Sequence, residues 1–323
     1  MKLGTTDIAI PAYALGTWAM GGGSTWGESD DRESIRTIHQ ALEMGVNFID
    51  TAPIYGNGVS EELLKKALVG RRSECVLATK CGLIWHEGAT GSYHGSRDGM
   101  TIRRNLSKES IIEQTEESLK RLGTDYIDLL LTHRQATEEF NTPIEETVEA
   151  FELLVEQGKI RAYGACNVNA EQLAEYQRWG NPSLIQERFS LLHREHSDLA
   201  ASAAEAQITF QAYSPLERGV LSGVAALQGE LEGTAKQSVR WIKAEYRTRM
   251  IALLTLLEEY AASYGVSVAA LVLRWTASAS STMNVLFGAR KIDHLLENVR
   301  AMDLELPSEV WQEIEEAAAP LLA

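Results

Sequence analysis

Cysteine is scarce: Cys75, Cys81 and Cys166 are the only three in 323 residues, and they form neither a CxxC pair nor an even framework. A disulfide scaffold and a thiolate metal centre are therefore not expected, and a reducing compartment fits best. Positive charge is also in short supply, with 30 Lys plus Arg against 45 Asp plus Glu and a net charge of −15. The phosphate backbone of a nucleic acid requires the opposite, a basic surface, so nucleic acid is not an expected partner. No stretch reaches the roughly 18 consecutive apolar residues of a membrane helix, and Met1 to Asp7 lacks the apolar core of a signal peptide. These absences predict a cytoplasmic, membrane-free protein. Low-complexity tracts and linker-like segments are missing as well, which predicts one domain over residues 1–323.

What is present is a regular alternation. Short apolar runs at Tyr13–Gly16, Val46–Ile49, Val76–Thr79, Ile127–Leu131, Ile160–Gly164, Leu184–Gln186, Ile208–Ala212 and Asn284–Phe287 read as eight strands. Between them, Asp31–Met44, Ser60–Leu68, Ser107–Leu122, Pro143–Gln157, Ala170–Trp179, Arg249–Tyr264 and Ile292–Met302 carry apolar residues at helical spacing. End signals support two of these helices: Ser107 before and Gly123 after one, and Pro143 at the first helical position of another. The pattern predicts an α/β chain folded as a (β/α)8 TIM barrel. Lys2–Pro11 reads as a hairpin closing the barrel's far end. The long gaps at Cys81–Leu106 and Ser214–Thr248 follow strand ends and read as loops covering a pocket. The Gly21–Gly23 run reads as a tight turn, because no Lys-Ser/Thr follows it as in a phosphate cradle.

Nearly every strand runs into a group able to do acid–base or binding chemistry. Asp50 and Tyr55 follow the second strand, Lys80 ends the third, His133 follows the fourth and Asn167 the fifth. Gln186 ends the sixth, Tyr213 and Ser214 follow the seventh, and Arg290 follows the eighth. Taken singly, each has an ordinary explanation: a Lys ending an apolar strand commonly reaches solvent, and an Asp before Thr-Ala-Pro commonly caps a turn. Their joint placement at one rim is what argues for a site.

The chain resembles the aldo-keto reductase superfamily along almost its whole length. The resemblance rests on Leu15-Gly16-Thr17-Trp18, on Asn47 to Gly56 with Ser60-Glu61, on Thr79-Lys80, on Leu119 to Asp128 and on Glu297-Asn298. Thr132 to Gln135, Ala165 to Val168 and Tyr213 to Glu217 are most similar to a bacterial branch with a methylglyoxal reductase and sugar-aldehyde reductases. The resemblance implies a catalytic tetrad of Asp50, Tyr55, Lys80 and His133. Hydride delivery to a carbonyl builds negative charge on its oxygen, and a proton donor must meet it. Tyr55 would be that donor, with its pKa brought down by the Lys80 ammonium. Asp50 would anchor Lys80, and His133 would hold the substrate oxygen.

On the cofactor side the resemblance implies that Thr17, Trp18 and Asp50 meet the nucleotide, that Asn167 and Gln186 bind the nicotinamide carboxamide, and that Tyr213 stacks on its ring. Ser214 and Leu216 would contact the pyrophosphate, and Glu297 and Asn298 the adenine. Around the 2′-phosphate the usual Lys and Ser are replaced by Gly288 and Ala289, with His294 for a later Arg, which leaves Arg290 as the cation for that phosphate. NADPH is thus the expected cofactor, with NADH possible. Trp18, Tyr55, Trp85, His86 and His133 are the expected substrate contacts, and Trp26, Tyr93, His94, Arg97, Arg103 and Arg104 add aromatic and basic character around them. That mixture suits a small polar aldehyde or an aldose. His193 and His196 lack a third ligand, so no metal is expected. Alternatives are a sugar dehydrogenase running in reverse, a nucleotide-binding regulatory subunit with little turnover, and an aldolase using Lys80 as a Schiff base. Oligomeric state is not encoded in any of these features.

Overall fold

The computed structural model describes residues 1–228 and 233–322. Its strands are β1 (Tyr13–Gly16), β2 (Phe48–Asp50), β3 (Val76–Cys81), β4 (Leu83–Ile84), β5 (Ser92–Arg97), β6 (Met100–Arg104), β7 (Ile127–Thr132), β8 (Ile160–Cys166), β9 (Leu184–Arg188), β10 (Thr209–Tyr213) and β11 (Met283–Gly288). Eight of them, β1, β2, β3, β7, β8, β9, β10 and β11, form a closed parallel barrel. Closure is direct: β1 pairs on one edge with β11, Tyr13 opposite Val285, and on the other with β2, Leu15 opposite Ile49. All eight predicted strands are present. The second starts later than expected, because the Val46 amide closes the preceding helix on Ala41 O.

The helices packed outside bury one face against these strands. Asp30 caps Asp31–Glu43 through its carboxylate, and a left-handed Gly123 ends Lys108–Leu122. Pro143 occupies the capping position and not the first helical one; its ψ of 141° is extended, and the helix runs Ile144–Glu156. Three further helices, Ser197–Glu205, Val268–Ser278 and Ser308–Leu322, lie outside the predicted set. For Val268–Ser278 the reason is physical: it is buried at Val268, Ala269, Ala270, Leu271, Val272, Leu273, Trp275 and Thr276, so it has no polar face to set the period. No single helix among the described residues is long and apolar enough to cross a membrane.

The predicted hairpin is a short one, bridged at Lys2 and Ala9. Its Leu3, Ile8 and Ile10 plug the barrel's N-terminal end, packing with Ala14, Phe48, Leu129 and Leu184. The stretch after β3 is a three-stranded antiparallel sheet in the order β4, β6, β5, where a loop was expected. Its hairpin turns at Asp98-Gly99, both with positive φ (51° and 79°), the backbone that two-residue hairpins require. Beyond β10, short helical turns fold Leu216–Ile242 back over the mouth, with Trp241 fully buried; residues 229–232 of this segment lie outside the described residues.

Candidate active site

Parallel strands put their C-terminal ends on one rim, and the side chains there meet as the sequence predicts. Lys80 Nζ donates to both Asp50 oxygens, at 2.7 and 2.8 Å, and to Thr51 O at 2.9 Å. It also lies 3.2 Å from Tyr55 Oη. The His133 ring stands edge-on to the Tyr55 ring, centroids 5.9 Å apart. All four tetrad residues therefore gather at one place. Lys80 and Asp50 are each 1% exposed, so this is a buried ion pair that survives only because its charges are fully bonded.

The pair continues as a chain of amides across the barrel. Gln186 Nε2 donates to Asp50 Oδ2 at 2.9 Å and to Gln211 Oε1 at 2.6 Å. Gln211 Nε2 reaches Asn284 Oδ1 at 2.7 Å, and Asn284 Nδ2 ends on Pro11 O at 2.8 Å. Other motif residues brace this floor from outside. Glu61, completely buried, accepts from Thr79 Oγ1 at 2.7 Å and Arg121 Nε at 2.6 Å; Asp128 takes Arg72, Arg161 and the Leu77 amide. Thr17 is likewise structural in its side chain, its hydroxyl donating to Asp50 O at 2.9 Å and accepting from Ser60 Oγ at 2.7 Å. Tyr55 is set by a close backbone approach: a Cβ on Gly56 would lie 2.3 Å from Gly21 O, and one on Gly21 would lie 2.9 Å from the Tyr55 carbonyl carbon. Gly21 is thus held close against the turn that carries Tyr55.

Electrostatics at the site correct one expectation. Burial drives the Tyr55 phenol above its ordinary pKa, and the nearby Lys80 ammonium offsets only part of this, so the net shift is upward. Burial also disfavours the Lys80 charge, but Asp50 and the other neighbours outweigh it, and Lys80 is held as an ammonium. His133 is pushed well below 6.5 by burial, with Lys80 and Arg134 adding to it, and is a neutral imidazole at pH 7.

Around the rim, Asn167 has a left-handed backbone (φ 57°) that aims its amide at two neighbours: Nδ2 donates to His133 O at 2.9 Å, and Oδ1 accepts from Tyr213 Oη at 2.8 Å. Buried Glu187 holds the next turn through the Val168 amide at 2.6 Å. Ser214, Glu217 and Arg218 also have positive φ, and Leu216 lies within this strained turn. Trp18 packs 6.1 Å from Tyr55 and 5.1 Å from Trp26, with the Arg218 guanidinium 5.5 Å over its ring. Trp26 Nε1 and Arg218 Nε are buried donors without a protein acceptor. Neither was singled out as a donor in the sequence, since only the folded turn brings them to the mouth. Orphaned donors on a rim with half-buried Asn167 and Ser214 fit an anionic dinucleotide.

Other expected contacts are placed further away or are committed elsewhere. Arg290 Nη1 donates to Trp26 O and Glu28 O, at 3.2 and 3.0 Å. Gly288 pairs with Gly16 at the barrel seam, Glu297 is exposed and Asn298 is buried on the same short helix, Ile292–Val299. Trp85 packs with Tyr55 against Ala52, Ile54, Leu83 and Ile102. Exposed His86 instead lines, with Trp85, a cavity of about 230 Å³ bounded by Gln114, Glu117 and Arg121 of an outer helix. His193 is paired with Glu195 at 2.5 Å.

The profile of the aldo/keto reductase family matches residues 13–319. The chain belongs to that family. It is 39% identical over 309 residues, 95% of this chain and 94% of the relative, to an Escherichia coli protein named NADH-specific methylglyoxal reductase. It is 35% identical to an aldo-keto reductase of Bacillus subtilis, over 90% of this chain and 84% of that one. Among solved structures, the glycerol dehydrogenase AKR11B4 of Gluconobacter oxydans superposes with a TM-score of 0.84 at 30% identity, covering 98% of this chain and 94% of the other. As an aldo-keto reductase, the protein is an NAD(P)H-dependent oxidoreductase acting on a carbonyl group of a small molecule.

Proposed function

We propose that the protein reduces a small polar aldehyde or the open form of an aldose, with Tyr55 as the proton donor, in a single barrel domain. The observation that carries this reading is the Lys80 ammonium, fixed between both Asp50 oxygens and 3.2 Å from Tyr55 Oη. The bound nicotinamide supplies the hydride. As negative charge grows on the carbonyl oxygen, Tyr55 releases its proton to it, and Lys80 stabilises the phenolate left behind. Asp50 keeps Lys80 charged and in place. His133, neutral and with its backbone N–H donating to Cys81 O at 2.8 Å, orients the carbonyl oxygen from the other side. Trp18 supplies the apolar wall beside Tyr55. For the cofactor, Asn167 and Gln186 would take the carboxamide, Tyr213 the ring, and the Ser214–Arg218 turn the pyrophosphate.

Arg290 supports NADPH, since a guanidinium suits the 2′-phosphate. NADH is the second reading, supported by the name of the E. coli relative and by the engagement of Arg290 Nη1 with two main-chain carbonyls. The glycerol dehydrogenase likeness supports alcohol oxidation as the reverse reaction on the same groups. The test is nucleotide oxidation followed optically with a panel of aldehydes, aldoses and ketones and both nucleotides. The reading expects turnover of small polar aldehydes; nucleotide binding without turnover of any carbonyl would overturn it and favour a regulatory subunit.

A further inference from the structure

One side of the mouth carries three arginines that form no close ion pair, although Asp98 acts on Arg97 and Arg134 acts on Glu187. Arg97 of β5, Arg104 of β6 and Arg134, directly after His133, are all half-buried there. Arg104 Nε donates to His94 Nδ1 at 3.1 Å, and its Nη1 donates to Gln135 O at 3.3 Å, which ties the β4–β6 sheet to the segment that carries His133. Arg97 Nη1 donates to Thr25 Oγ1 at 3.3 Å, beside the Trp26 ring. None of the three guanidinium groups has an ion-pair carboxylate within 4.0 Å among the described residues. The field is felt by its neighbours: burial, then Arg104, Arg134 and Arg97, push His94 down to about 4, so it is a neutral acceptor and cannot serve as the counter-ion's partner.

Arg104 and Arg134 act on each other and all three arginines act on His94; half-buried guanidinium groups without a close carboxylate are stabilised by a bound oxyanion. Arg134 also acts on Tyr213, an expected cofactor contact after β10, whereas Arg97 and Arg104 belong to the β5–β6 hairpin inserted after β3, which carries none of the expected cofactor contacts. Resting on the reductase reading above, we propose that Arg97, Arg104 and Arg134 bind an anionic group of the substrate, a carboxylate or a phosphate monoester, making the preferred substrate an anionic aldehyde. The carbonyl sits at Tyr55 and His133 while the anion faces the β5–β6 hairpin. The hairpin is then a specificity element, and its two arginines are hinged to the mouth through Thr25 and Gln135.

The experiment compares paired aldehydes that differ in the anion: glyceraldehyde against glyceraldehyde 3-phosphate, and butanal against 4-oxobutanoate. The wild-type protein is expected to show a kcat/KM about tenfold or more higher for at least one anionic member, carried mainly by KM and weakened by added salt. In Arg104→Ala and Arg134→Ala the anionic-to-neutral ratio falls by about tenfold, and Arg104→Lys recovers part of it. The ratio is internally controlled against loss of folded protein. Equal kcat/KM for both members of each pair, or a ratio unchanged in both variants, would overturn the proposal while leaving the reductase reading intact. Calorimetric titration with glycerol 3-phosphate and with succinate, in the presence of nucleotide, decides it even without turnover: saturable binding lost in Arg134→Ala supports the site, and no binding to the wild type refutes it. Absence of turnover with every aldehyde would refute the reductase reading instead.

Discussion

The floor of the barrel mouth and the wall above it are built on opposite principles. On the floor every side chain from Lys80 through Asp50, Gln186, Gln211 and Asn284 to the Pro11 carbonyl is bonded to the next, across β3, β2, β9, β10 and β11. On the wall, Trp26 Nε1 and Arg218 Nε are buried and unpartnered, and Arg97, Arg104 and Arg134 form no ion pair within 4.0 Å among the described residues. The difference separates two tasks. Reacting groups must be held still before substrate arrives, so their bonds are made within the protein. Binding groups are left unsatisfied, so that a ligand completes them.

Breaking the floor should cost the most. Asp50→Ala strands Lys80 as a buried, unpaired ammonium, and about 3–5 kcal/mol of unfolding free energy is expected to be lost, read by denaturant titration. A loss within experimental error would mean that water or another carboxylate compensates. Gln211→Leu interrupts the amide chain between Gln186 and Asn284. It should cost about 1–3 kcal/mol, because both neighbours lose a partner in a dry place, with a smaller change in KM than in stability.

A titration sharpens the border between floor and wall. Buried Glu187 has its carboxyl pushed from 4.5 up to about 8, chiefly by burial, with the Val168 amide and Arg134 acting the other way. The folded state therefore holds a proton that the unfolded chain has released, and this contribution to stability is lost as pH rises from about 4.5 towards 8. Glu187→Gln should flatten that part of the melting-temperature profile; an unchanged slope would show that Glu187 is ionised when folded. The smallest effect concerns the outer wall: Arg290→Ala is expected to lower the NADPH-to-NADH ratio of kcat/KM by roughly tenfold, and an unchanged ratio would remove Arg290 from the phosphate site.

Legibility followed the same border. The floor was readable because Asp50 and Lys80 lie at the ends of short apolar strands, Tyr55 and His133 follow such ends inside recognisable motifs, and the barrel carries those ends to one rim. The wall was less so. Ser92-Tyr93-His94-Gly95-Ser96-Arg97 is too polar to read as a strand, and the Asp98-Gly99 turn was the one local sign that it forms a hairpin. The Gln211–Asn284 bond depends on neighbouring strands in register, Gln211 opposite Asn284, which no single segment displays. The net shift of Tyr55 is hidden for a related reason: the lowering effect of Lys80 follows from motifs, but the depth of burial that outweighs it exists only in the fold.

The central claim is that the phenol of Tyr55, backed by Lys80, delivers the proton. It is tested most directly by comparing wild type and Tyr55→Phe for nucleotide affinity, by fluorescence titration, and for kcat with the best aldehyde. The account predicts an unchanged dissociation constant for the nucleotide and a kcat lower by roughly 10²–10⁴-fold. A Tyr55→Phe protein that binds nucleotide normally and reduces the aldehyde at the wild-type rate would contradict it.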